Sequence, residues 1–178
     1  MVELYRIFEE FQIRKHLKRQ PARQVVAKNY QEIESVCLIS EAGFLKSDHP
    51  LITIQRAFQK EGKKIEIVGF FGESEIPRGL TGSPFFIINK NDITWYGKLK
   101  TVVTDKIKAK KYDLVIVYNP NKNYHINYLA MKSKGLLKIG MASNGYDYLY
   151  DFCLQPDKEG LSHFIDLTKH YLAQINQK

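Results

Sequence analysis

The sequence predicts a single α/β domain with a mostly parallel sheet, and three observations predict it. Apolar, β-branched runs recur at residues 35–40, 64–71, 113–118 and 137–141, continuous rather than alternating, as in strands buried on both faces. Helical periodicities fill the intervals between them. A length of 178 residues with 44% hydrophobic content suits one compact core, which withdraws about 70% of the unfolded chain's surface from water.

Taken in order, Leu4, Ile7, Phe8 and Phe11 recur at helical spacing opposite Arg6, Glu9, Glu10 and Arg14. Residues 1–19 therefore read as an amphipathic helix ended by Pro21, with a second helical piece over 22–30. Residues 1–34 are expected to form an amino-terminal helical segment packed on the domain, and 35–178 the domain itself. The first strand follows at 35–40. Asp48 as a cap, Pro50 in the first turn, and Leu51, Ile54, Ala57 and Phe58 predict a helix stopping near Gly62. A strand over 64–71 completes a βαβ unit, whose crossover is right-handed and whose strands are parallel.

Gly72, Pro77, Gly79, Gly82 and Pro84 mark a long loop. Residues 85–89 and 93–96 then read as a short hairpin or one interrupted strand. A helix over 101–110, a central strand over 113–118, a helix over 124–134, strands over 137–141 and 149–154, and a closing helix over 159–176 complete a Rossmann-like three-layer domain. No repeat or linker divides it.

Residues 1–20 hold no apolar core of a signal peptide, and no apolar run approaches the ~20 residues of a membrane span. A cytoplasmic protein that binds no membrane is expected. Cys37 and Cys153 sit in apolar runs without ligand spacing to another Cys or His, so buried free thiols and no metal are expected. Net charge is +8, and all of the excess lies between Lys90 and Lys138, where eleven lysines face only Asp92, Asp105 and Asp113. Such a field attracts phosphates, but lysine also keeps surfaces soluble, and the segment lacks arginine, the better planar reader of phosphate. Nucleic acid is accordingly disfavoured as a partner, although Trp95, Tyr96 and Tyr112 stand among the lysines.

In open parallel sheets ligands sit beyond the carboxyl ends of the strands. The informative loops there carry Glu41, Glu73, the turn Asn119-Pro120-Asn121-Lys122-Asn123, and Asn144. The asparagine turn opens a helix whose free amides would welcome an anion beside Lys122, and helix capping is the plainer use of the same residues. The ligand-binding candidates are therefore Glu41, Glu73, Asn119, Asn121, Lys122 and Asn144. No GxGxxG or GxxxxGK[ST] occurs, so no dinucleotide or P-loop cofactor is expected. No GxSxG elbow or triad stands out among His16, His49, His125, His163 and His170, and only His125 falls near the expected crevice.

The run Tyr112-Asp113-Leu114-Val115-Ile116-Val117-Tyr118, the helix end Leu129-Ala130-Met131-Lys132-Ser133-Lys134, Lys138-Ile139-Gly140-Met141 and the later Tyr146-Asp147-Tyr148-Leu149-Tyr150-Asp151-Phe152 together resemble a domain-of-unknown-function family of short bacterial proteins. That resemblance covers most of the chain and implies no activity. The same strand, helix and Gly-ended strand are more distantly similar to the amino-terminal half of heptosyltransferase-type glycosyltransferases, which implies fold alone. The chain has Glu41-Ala42-Gly43-Phe44 where that family has Gly-Asp, and no nucleotide-sugar half, so transferase activity is not carried over.

The leading expectation is a small domain, not assignable to an activity, that binds a small anionic ligand or a protein partner at its strand-end loops. The rival is an enzyme acting on a sugar or phosphorylated substrate, with Glu41 or Glu73 as base. Nucleic-acid binding through the lysine segment ranks third, and a homo-oligomer is left open.

Overall fold

The computed structural model describes residues 11, 13, 15, 23–42, 50–76, 79–95, 97–142 and 145–175. Its sheet contains β1 (Ser35–Glu41), β2 (Lys64–Phe70), β3 (Phe85–Ile88), β4 (Lys111–Tyr118), β5 (Lys134–Met141) and β6 (Phe152–Leu154). Against it lie α1 (Pro50–Lys60), α2 (Thr101–Ala109), α3 (Tyr124–Lys132) and α4 (Leu161–Ala173). The order is β3-β2-β1-β4-β5-β6 and every pair is parallel. The domain is Rossmann-like, and the direction of winding reverses between β1 and β4.

The pleat sorts the core into two faces. Val36 and Leu38 pack with Leu51 and Phe58 of α1 and Phe164 of α4, while Cys37 and Ile39 pack with Val103 and Ile107 of α2 and Leu129 of α3. Right-handed crossovers require this division, since the chain winds one way from β1 to β2 and the other way from β3 through β4 to β5. Cys37 is buried and Cys153 half-buried, and both are free thiols. They stand on β1 and β6, three strand spacings or about 14 Å apart, beyond the reach of a disulfide. Among the described residues no helix is long and apolar enough to cross a membrane.

Three expectations are corrected. Residues 23–29 form no helix; they are an extended strap leading into a single 3-10 turn, Tyr30–Glu32. Tertiary bonds decide the matter: Arg23 donates to the Gly135 carbonyl and pairs with Asp151, Val26 N donates to Leu136 O at 3.1 Å, and Lys28 Nζ meets Asp113 Oδ1 at 2.7 Å. Two adjacent valines at 25 and 26 favour that extension.

The short hairpin or interrupted strand expected over 85–89 and 93–96 is, among the described residues, β3 alone, with an isolated bridge from Ile93 to Leu99. β3 pairs in parallel with β2 and stops where Asn89 Oδ1 accepts from Asn91 N at 2.8 Å and Asn89 N donates to Asp92 Oδ2 at 3.0 Å, a capping box that turns the chain. Lastly, the strand expected over 149–154 shrinks to 152–154, preceded by the 3-10 turn Asp147–Leu149. Asp151 still imitates a strand neighbour, its N–H donating to Lys138 O at 2.9 Å and its carboxylate accepting from Lys138 N at 2.7 Å.

Of the amino-terminal stripe, Leu4, Ile7 and Phe8 lie outside the described residues. Phe11 is exposed, and Ile13 is fully buried against Met131, Tyr146 and Leu149.

Candidate ligand cleft

The winding reverses between β1 and β4, and in this topology a crevice forms at the carboxyl ends of the strands on either side of the reversal. A cleft of about 940 Å³ opens there. Its walls come from the end of β1 (Glu41), the first turn of α1 (Pro50, Leu51), the end of β4 (Tyr118, Pro120, Asn121), the end of β5, the loop after β6 and the first turn of α4.

Glu41 and Asn121 are brought together. Asn121 Nδ2 donates to Glu41 Oε2 at 2.7 Å across the gap between the two strands. In the same lining, His163 Nε2 lies 2.6 Å from Asp157 Oδ1, and the hydrogen bond from His163 holds the Asp157 carboxyl below its ordinary range. Tyr118 packs its ring on Phe164, 5.6 Å between centroids, and its hydroxyl accepts from Gly160 N at 3.1 Å. Gly160 holds φ 127°, ψ 138°, a conformation open to glycine alone, and α4 starts from it without a side-chain cap. The wall is mixed in character: Leu51, Pro120, Met141 and Leu161 are apolar, and Glu41, Asp157, Lys158, Glu159 and His163 are polar.

The remaining candidates stand elsewhere. Asn119 is buried and consumed by its own turn, accepting from Asn123 N at 2.8 Å and donating to Asn123 O and Asn127 Oδ1, each at 2.9 Å. Asn123 in turn accepts from His125 N at 2.9 Å and caps α3. Capping thus accounts for this turn. Lys122, at φ 53°, is exposed and lies outside the cleft wall, as does Glu73, whose carbonyl accepts from Lys90 N beyond β2. Glu41, Glu73 and the asparagine turn nonetheless all leave the same end of the sheet, as the parallel topology demands. Asn144 lies outside the described residues.

His125, the histidine expected near the crevice, belongs to the opposite face. It stacks on Phe70 at 4.7 Å, and burial lowers its pKa to about 4, so it is neutral at neutral pH. The cleft uses His163. Sequence reasoning passed over it, along with Asp157 and Gly160, because the strand-end rule was applied to four loops and not to the one after the last, short strand. Among the described residues no group of three or more His, Cys, Asp or Glu side chains is placed to hold a metal ion.

Fold and cleft define the class, a single Rossmann-like α/β domain with its crevice at the β1/β4 reversal. Over residues 6–175 the chain matches the model of a family of unknown function, DUF6913, and it belongs to that family. No curated protein matches it. Among solved structures it is similar to the E. coli heptosyltransferase WaaC with ADP, at 15% identity and a TM-score of 0.41, over 79% of this chain and 46% of that one. The chain thus spans less than half the length of that transferase, and at this level the likeness concerns the backbone only.

Proposed function

We propose that the protein binds a small, hydroxyl-rich molecule in the β1/β4 cleft. The observation that carries this reading is the pairing of Glu41 with Asn121 in one lining with Asp157 and His163. Carboxylates accept hydrogen bonds from hydroxyls, and an amide accepts and donates at once. The apolar wall residues suit the C–H faces of such a ligand.

Charge turns the reading away from the anionic ligand that Lys122 suggested. Three carboxylates, Glu41, Asp157 and Glu159, face Lys158 and the imidazole of His163, so an anion would enter against the local field. The reading also takes the protein as cytoplasmic and bacterial; two thiols that cannot reach one another suit a reducing compartment.

Thermal unfolding in the presence of polyols, sugars, sugar phosphates and nucleotides tests it. Stabilisation by a polyol or sugar that disappears in Asn121→Ala and Glu41→Gln supports the proposal. Stabilisation by anionic compounds alone restores the anionic ligand, and a panel without any shift turns the strand-end loops toward a protein partner.

A second reading, an enzyme acting on such a molecule, is favoured by the Asp157–His163 contact, which orients an imidazole as general acid–base groups are oriented. Turnover lost in His163→Asn while ligand stabilisation persists would separate catalysis from binding.

A further inference from the structure

Tyr118 ends β4, and its hydroxyl has more hydrogen-bonding capacity than the fold uses. The ring packs on Phe164 at 5.6 Å between centroids, a contact that a phenylalanine ring would make as well. The hydroxyl oxygen accepts from Gly160 N at 3.1 Å, where α4 starts without a side-chain cap. That bond uses the oxygen and leaves the hydrogen. Among the described residues no acceptor takes it. Ser40, the register partner of Tyr118 on β1, has a buried hydroxyl with no hydrogen-bond partner, so the sheet beneath does not consume it either. Tyr118 and Gly160 both line the cleft, and the bond between them lies in its wall.

Two features make this phenol a strong donor. Accepting one hydrogen bond polarises the O–H group for giving another, and the positive end of the α4 dipole lies beside it. Elsewhere in the lining, Glu41, Asp157 and Glu159 bring carboxylates, which accept hydrogen bonds and so suit the hydroxyls of a ligand. Tyr118 requires the opposite partner, an oxygen that accepts. A ligand hydroxyl placed against it would still have its own hydrogen to satisfy, beside a phenol oxygen already bonded to Gly160 N. An oxygen that carries no hydrogen avoids that cost.

We propose, resting on the ligand proposed for the cleft above, that Tyr118 is a ligand-contacting donor of this site. It selects hydroxyl-rich molecules that also carry an acceptor-only oxygen, the ring oxygen of a cyclic sugar or a carbonyl. Gly160 N aims the phenol and leaves its hydrogen for the ligand.

Wild type and Tyr118→Phe are to be titrated, by NMR or calorimetry, with three kinds of probe. Methyl pyranosides have a ring oxygen and no carbonyl, dihydroxyacetone has a carbonyl and no ring, and sorbitol has neither. Tyr118→Phe keeps the ring against Phe164. It is expected to bind pyranosides or dihydroxyacetone about fivefold to tenfold more weakly than wild type does, and sorbitol within about twofold. Whichever class loses affinity names the source of the oxygen. Amide exchange reads the aim of the phenol: Gly160 N–H should exchange faster in Tyr118→Phe, while Phe164 N–H, bonded to Gly160 O, stays protected. Pyranosides and dihydroxyacetone that bind both proteins alike, sorbitol losing as much as they do, or a Gly160 amide indifferent to the substitution overturns the role of Tyr118 and leaves the cleft ligand standing. Failure of every probe to bind wild type removes both.

Discussion

The two ends of the same sheet are built differently. At the amino end, polar groups are spent on the fold. Asp113 accepts from Ser35 N, Ser35 Oγ, Glu34 N and Lys28 Nζ, all within 3.1 Å, joining the starts of β1 and β4 to the strap over 23–29. Lys63, buried just before β2, donates to the carbonyls of Tyr30 and Ile33 at 2.8 and 2.7 Å. At the carboxyl end, the Glu41–Asn121 and Asp157–His163 pairs border open space. One end closes the domain and the other carries the walls of the proposed site. In a parallel sheet that asymmetry follows from helix amino termini and strand-end loops gathering at one edge.

The largest effect expected from breaking this contrast is at Asp113. Asp113→Ala removes an ion pair and leaves two backbone donors without their acceptor, and chemical denaturation should show a loss of about 3 kcal/mol. The same residue sets an acid limit. Hydrogen bonds from Lys28, Ser35 and Glu34 outweigh burial and hold its pKa at about 2, and Lys28 is correspondingly raised. A carboxyl depressed in the folded state stabilises it above the unfolded value near 4 and ceases to do so as pH falls toward 2, a change of about 2 kcal/mol. Asp113→Asn should flatten the stability profile across that window; an unchanged slope between pH ~4 and ~2 would remove Asp113 from the account.

Gly140→Ala comes next. A Cβ there would lie 2.5 Å from the Tyr150 ring, which rests directly on β5. Overpacking of this kind costs about 1–3 kcal/mol, and pairing it with Tyr150→Leu should recover part of the loss if the ring is the cause.

The smallest effects belong to the carboxyl end. Glu41→Gln, a near-isosteric change at a half-buried side chain, and Asn121→Ala and Lys122→Ala, at exposed ones, should each leave stability within about 0.5 kcal/mol of wild type. A large loss in the first two would mean that the cleft wall is structural and would erase the contrast between the ends.

The fold was legible because its signals are redundant. Leu114, Val115, Ile116 and Val117 read as a central strand without help from any other element, and Pro50 with Gly62 delimits α1. The strap over 23–29 was not legible, because its conformation is set by Leu136, Asp113 and Asp151, more than eighty residues away. Of the site, Glu41 and Asn121 were reached by one rule, the position of strand-end loops in a parallel sheet. Asn119 obeyed the same rule and went to capping, since an asparagine beside a helix start finds backbone partners before it finds a ligand. His163 and Asp157 come together only because the loop after β6 returns to α4 over Tyr118, a closure that spacing does not reveal.

The most direct test of the central claim is amide hydrogen exchange and chemical-shift mapping with the best-stabilising hydroxyl-rich compound of the panel. The account predicts changes confined to Glu41, Asn121 and the segment from Asp157 to His163, with Asp113, Lys63 and the strap unmoved. Changes centred on the amino end of the sheet, or on the Asn119–Asn123 turn without the Asp157–His163 wall, would contradict it.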